Sequence, residues 1–206
     1  MGEGRSLRVR VQRAVAAIVG LLLLTGARPS PDQAAFRRQL VAAAVHRASV
    51  KVRYVSDYVR IPYPGGDVPA DTGVCADEII RIYRAVRIDL QRELHEDLVR
   101  AAAAYRLRGR PDTNIDHRRV KNLMVYFHRR GQVLPISAEP TDYRPGDIVA
   151  WDLLAGHIGM VVDQQGVGGR PLILHNVGHG PRIEDVLFSW PILGHYRYGG
   201  PPDLPP

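Results

Sequence analysis

Cys75 is the only cysteine in a chain of 206 residues. A solitary thiol cannot form an internal disulfide, which leaves three uses: an inert buried side chain, a link to another chain, or a nucleophile. Its context, Asp71-Thr72-Gly73-Val74-Cys75-Ala76-Asp77-Glu78, reads as a turn feeding a helix. A helix that begins at or just after Cys75 aims free N–H groups and the positive end of its dipole at the sulfur. Both favour the thiolate, which is the reactive form. A structural small hydrophobe is the competing reading, and only a base within reach separates the two.

His157 is the candidate base, in Gly156-His157-Ile158-Gly159-Met160-Val161-Val162-Asp163. On a strand, His157, Gly159 and Val161 share one face, and Ile158, Met160 and Val162 share the other. The second face belongs in the core. The first places a histidine beside a glycine, with room for a nucleophile carried on a helix packed against the sheet. A third group should hold the imidazole in one tautomer. His175 and Asn176 both end the next strand. If Leu172 and Leu174 face the core, His175 points with His157, so parity favours His175 over Asn176. Together these residues would let a thiol attack a carbonyl carbon while the base takes its proton and returns it to a leaving amine. The N–H groups of the helix start would receive the developing oxyanion.

The elements that must position these groups follow from periodicity. Helices are predicted over 34–49, 77–87, 90–105 and 117–130, with Asp116 as the cap of the last and Gly131 just past its end. Residues 53–61 read as extended and 62–67 as a loop broken by two prolines and two glycines. Strands are predicted at 148–151, 157–163, 172–176 and 195–198, with a turn at 143–147 and a glycine-bearing hairpin connection at 164–170. Helices first and an antiparallel sheet after them indicate the α+β class.

The termini read differently. Arg5, Arg8, Arg10 and Arg13 precede the apolar run Ala14–Leu24, and Thr25-Gly26-Ala27 supplies small residues for cleavage. This is the layout of a secretory signal peptide over residues 1–27, with an uncleaved anchor as the alternative. Residues 28–33 are a proline-bearing linker, 34–199 one domain, and 200–206 a disordered proline-rich tail. The formal charge is +7, of which residues 1–27 supply +3, leaving +4 for the rest. That excess suits work beside an anionic polymer. No stretch interleaves aromatic and basic residues as nucleic-acid readers do.

The cysteine, the Gly156-His157-Ile158-Gly159 strand and His175 resemble the three catalytic places of the NlpC-type cell-wall peptidases, a papain-like fold. Arg144-Pro145-Gly146-Asp147-Ile148-Val149 is similar to that family's Pro-Gly-Asp turn into its first core strand. Tyr63 ahead of Gly65-Gly66 is similar to its oxyanion-site tyrosine. More closely, residues 34–198 resemble a bacterial family known as domain of unknown function 1287 (DUF1287). That likeness is carried by Asp71-Thr72-Gly73-Val74-Cys75, Asn114-Ile115-Asp116-His117-Arg118-Arg119 and Leu174-His175-Asn176-Val177-Gly178. Val74-Cys75-Ala76-Asp77 departs from the peptidases' Asp-Cys-Ser-Gly, and the helical insert over 90–130 is longer.

The resemblance implies an NlpC-type papain-like fold, with N-terminal helices packed on a C-terminal antiparallel sheet. It implies an exported, periplasmic or extracellular cysteine hydrolase acting on amide bonds, above all in peptidoglycan stem peptides. Cys75, His157 and His175 would be catalytic, and Tyr63, Asn176 and Asp116 would lie at the oxyanion or substrate site. The cluster Asp116–Arg119 either caps and braces a helix or binds a carboxylate, and capping is preferred because Asp is a good N-cap. The expected protein is a monomer with no cofactor, metal or nucleic-acid partner, touching membrane only through an uncleaved N-terminal segment. Three rivals stand beside this reading. The first is a metal site drawing on His157, His175, His179, Asp152 and Asp163, which lack HExxH-type spacing. The second is a non-catalytic wall-binding module, and the third a papain-like acyltransferase or lipid-modifying enzyme.

Overall fold

A computed structural model describes residues 31–107 and 109–201. The expected targeting segment, residues 28–30 of the expected linker and residues 202–206 of the tail lie outside the described residues, while residues 31–33, expected as linker, already belong to the first helix. Among the described residues five helices come largely before the sheet: α1 (Pro31–Arg47), α2 (Cys75–Ala85), α3 (Leu90–Arg100), α4 (Ala102–Tyr105) and α5 (Val120–Arg130). Strands β1 (Arg53–Tyr54) and β2 (Thr72–Gly73) form a small parallel pair. Strands β3 (Gln132–Val133), β4 (Ile148–Trp151), β5 (His157–Gln165), β6 (Pro171–His175), β7 (Arg182–Glu184) and β8 (Ile192–Arg197) form an antiparallel sheet in the order β3-β8-β4-β5-β6-β7. The chain is therefore α+β, as its pattern predicts. Among the described residues no helix is long and apolar enough to cross a membrane.

The sheet is buried on both faces, which is why Ile148-Val149-Ala150-Trp151 reads as an unbroken apolar run. Ile148, Ala150, Ile158, Met160, Val162 and Leu174 pack on one face against helical residues such as Leu40, Ile79 and Tyr83. Val149, Trp151, Val161 and Ile173 pack on the other face with Tyr143 and Leu187. Parity on β5 is as the sequence predicts. The placement of the cysteine's helix is not: α2 packs on the Ile158–Met160–Val162 face rather than on the face of His157. The reason is burial, since α2 is buried without interruption from Cys75 to Tyr83 and takes the more apolar side of the sheet.

The Pro-Gly-Asp turn locks the central strands together. Asp147 is fully buried and accepts from the Arg144 N–H, from His195 Nε2 at 3.0 Å, and from Arg197 Nε and Nη2 at 2.7 and 2.8 Å. Tyr143 stacks on His195 with ring centroids 4.2 Å apart.

Several boundaries differ from expectation. Only Arg53–Tyr54 of the 53–61 stretch is strand. The helix predicted over 90–105 breaks at Ala101, and Asp89 caps its first part through the N–H groups of Gln91 and Arg92. Asp116 does not cap α5. It sits inside a 3-10 turn, Asp116–Arg118, and the backbone is extended at Arg119, so α5 starts at Val120 beyond reach of its side chain.

Candidate functional site

Cys75 is the first residue of α2, and Val74 before it is extended. Val74 has no side-chain acceptor with which to cap the helix. Asp77 supplies the reverse contact, its Oδ2 accepting from the Val74 N–H at 2.7 Å. Asp77 is itself clamped by Arg118, whose Nε and Nη2 donate to the two carboxylate oxygens at 2.8 and 3.0 Å. Arg118 Nη1 also donates to the Asp57 carbonyl at 3.0 Å. Both side chains are almost completely buried. Thus the Asp116–Arg119 cluster does brace a helix, through Arg118 acting on the helix that carries the cysteine.

Cys75 is 4 % exposed. The backbone N–H groups of Ile158, Ala76 and Cys75 itself point at the sulfur and favour the thiolate, while burial opposes ionisation more strongly and pushes the thiol up to about 11. The Ile158 contact seats the sulfur against β5 at the residue that follows His157. Tyr54 lies beside the thiol, where burial and the neighbouring thiol push its phenol up to about 12. What delivers Tyr54 is backbone pairing: Tyr54 is opposite Gly73, two residues before the cysteine. Gly73 has φ of +157°, and a Cβ there would meet Arg81 Nη1 at 3.1 Å and Asp77 Cβ at 3.2 Å. The approach is closed to larger residues.

His157 opens β5 opposite Trp151. Its Nε2 lies 2.9 Å from His175 Nδ1, and His175 Nε2 lies 2.9 Å from Glu184 Oε2. The parity argument that joined His157 to His175 therefore matches their placement. Gly159 makes the pairing possible, because a Cβ there would meet Ile173 Cγ2 at 2.7 Å, the Leu174 carbonyl at 2.8 Å and His175 Cβ at 3.2 Å. Trp190 lies edge-on to His157 at 5.7 Å and tilted to His175 at 6.1 Å, and Trp151 lies tilted to His157 at 5.6 Å and edge-on to Trp190 at 6.1 Å. The Trp151 indole N–H donates to the Leu187 carbonyl at 2.9 Å, which ties down the segment leading to Trp190. In this dry setting burial, then the neighbouring His175, push His157 down to about 4. Burial lowers His175 as well, against the pull of Glu184. No hydrogen bond joins Cys75 to His157 among the described residues.

Other expected site residues lie elsewhere. Tyr63 packs edge-on against His95 of α3, with centroids 5.1 Å apart, and Tyr54 is the tyrosine beside the thiol. Asn176 is fully buried, its Oδ1 accepting from the Gly178 N–H at 3.2 Å and its Nδ2 left without a partner. Asp116 Oδ2 accepts from the Asp112 N–H at 2.5 Å, and its carbonyl accepts from Asn122 Nδ2 at 2.9 Å. It stabilises the 112–116 loop, and burial raises its carboxyl. Among the described residues no group of three or more His, Cys, Asp or Glu side chains is arranged to hold a metal ion.

Sequence reasoning missed two neighbours of the site. Tyr54 carries no motif, because a two-residue parallel ladder leaves no periodic trace. Glu184 is on a three-residue strand, and it reaches His175 diagonally because Ile173 is opposite Glu184 and His175 is opposite Arg182.

Comparison with known proteins places residues 41–198 in the family described as Domain of unknown function (DUF1287). The chain is 49% identical over 150 residues to "Uncharacterized protein YijF" of Escherichia coli (strain K12), covering 70% of this chain and 73% of that protein. No solved structure matches. The chain belongs to the DUF1287 family.

Proposed function

We propose that this DUF1287 member is an exported cysteine hydrolase of NlpC-type, papain-like architecture that cleaves amide bonds, with peptidoglycan stem peptides as its substrate class. The observation that carries the reading is one alignment. The strand that begins with the His157–His175–Glu184 hydrogen-bonded line also turns its Ile158 N–H toward the only cysteine, at the start of a buried helix. Cys75 is the nucleophile and His157 the base that takes its proton and passes it to the leaving amine. The N–H groups of Cys75 and Ala76, with the Tyr54 hydroxyl, are donors suited to charge developing on a carbonyl oxygen. Burial favours a neutral thiol and a neutral imidazole at rest, so deprotonation accompanies attack rather than preceding it. Contacts of this kind commonly tighten only when substrate is bound.

The burial of the thiol also favours a second reading, a cell-wall interaction module that keeps the shape without the chemistry. Incubating the purified protein with muropeptides and identifying products by mass spectrometry separates the two. The hydrolase reading expects cleaved stem peptides from the native protein and none from Cys75→Ala. Full turnover by Cys75→Ala would sink the mechanism, and no turnover of any peptide or amide by the native protein would leave the interaction module.

A further inference from the structure

Glu184 has no place in the mechanism above, yet it terminates the line of side chains behind the base. We infer that Glu184 is a positioning residue that fixes the tautomers of both histidines, so that His157 keeps an unprotonated Nδ1 free to accept a proton. The inference rests on the hydrolase reading only for its consequence in turnover; the tautomers are a property of the resting protein.

The derivation needs only donor and acceptor rules. A carboxylate accepts and cannot donate, so His175 Nε2 carries the hydrogen in its 2.9 Å contact with Glu184 Oε2. A neutral imidazole holds one hydrogen, so His175 Nδ1 is then an acceptor. The 2.9 Å contact between His157 Nε2 and His175 Nδ1 consequently has His157 Nε2 as donor. By the same count His157 Nδ1 bears a lone pair. When a proton arrives there, the imidazolium keeps its Nε2–H on His175, and no other bond has to break or reverse.

Without the carboxylate, the two contacts no longer prescribe a direction. His175 can place its hydrogen on Nδ1 and donate to His157 Nε2. That moves the His157 hydrogen to Nδ1 and leaves no acceptor for the thiol proton. The two histidines are buried, at 3 % and 1 % exposure, so bulk water does not compete to set their tautomers. Glu184 itself is only partly covered and sits on the last strand of the sheet, so its removal leaves the core cluster of Val161, Ile173 and Trp151 in place. Its neighbour Asp185 is engaged by Arg170 at 2.6 Å and does not substitute for it.

Nitrogen-15 spectra of the histidine side chains, assigned with His157→Ala and His175→Ala, test this on the intact protein at pH 7.5 without any substrate. The native protein is expected to show Nε2–H and bare Nδ1 on both rings. Glu184→Ala should lose this single state and populate Nδ1–H on His157. Glu184→Gln should populate both states as well, because a side-chain amide can accept through its oxygen or donate through its NH2 and no longer prescribes the direction. Native His157 carrying its hydrogen on Nδ1, or unchanged spectra in a folded Glu184→Ala, would overturn the inference. Turnover on muropeptides supplies the second arm: it should fall in Glu184→Ala by the fraction of His157 found in the wrong tautomer. A locked native tautomer with no turnover would count against the hydrolase reading and leave the role of Glu184 intact.

Discussion

Replacing Arg118 by methionine is the sharpest test of how the cysteine helix is held. Arg118 and Asp77 are 3 % and 2 % exposed, and two hydrogen bonds join them. In Arg118→Met, Asp77 remains buried with the Val74 N–H as its remaining donor. Removing one partner of such a pair costs about 3–5 kcal/mol, because a charge stays in the interior uncompensated. For a chain of this size that lowers the melting temperature by roughly 6–20 °C. The double variant Asp77→Leu, Arg118→Met removes both charges. It loses the contact to Val74 N, worth about 1 kcal/mol, and should therefore be more stable than Arg118→Met alone. Urea unfolding followed by tryptophan fluorescence measures all the variants of the cycle, and the coupling should be several kcal/mol. An Arg118→Met cost below about 1 kcal/mol, or single effects that simply add in the double variant, would refute the argument that burial makes this pair interdependent.

Other expectations concern protons and space. Burial holds His157 and His117 down at about 4, so the folded state keeps them neutral while the unfolded chain protonates near 6.5. The unfolded state then binds more protons between pH 6.5 and 4. Stability present at neutral pH is lost as pH falls through that window, by up to about 3 kcal/mol per histidine. Urea midpoints measured from pH 7.5 to 4.5 should fall, and His117→Gln should flatten the slope by nearly one proton; an unchanged slope counts against the assignment. Because the Cys75 thiol is pushed up to about 11, its alkylation by iodoacetamide should accelerate about tenfold per pH unit from pH 7 to 10. A rate already level between pH 5 and 7 would instead mean a preformed thiolate. Gly159→Ala forces a Cβ to within 2.7 Å of Ile173 Cγ2 and should cost about 1–3 kcal/mol in thermal unfolding, with the His157–His175 contact disturbed in the histidine spectra.

Periodicity carried much of this organisation. The helical pattern before the strands, the two faces of β5 and the convergence of His157 with His175 are all written in alternation and spacing. What could not be read depends on which elements meet. The helix of Cys75 packs on the face opposite to His157 because nine consecutive residues of α2, Cys75 to Tyr83, need burial, a demand that no local window weighs against the sheet. Tyr54 comes to the thiol through a parallel two-residue ladder joining segments 19 residues apart (Arg53 to Thr72 begins it), and Glu184 through the register of a three-residue strand. Asp116 looked like a cap from its residue type, but a 3-10 turn intervenes. Its neighbour Arg118 performs the bracing instead, by reaching across to another helix.

The position of β7 has a consequence for how such a protein could be altered. Glu184 rides on the outermost strand, paired on one side only, while Cys75 and both histidines are enclosed. The strand can be lengthened, recoded, or met by an added strand along its open flank without repacking the interior. Each such change shifts the carboxylate relative to His175 and so acts on His157 from a distance. The adjustable part of the assembly is thus at the periphery, and Cys75 with the N–H groups around it can stay unchanged while the histidine line is retuned.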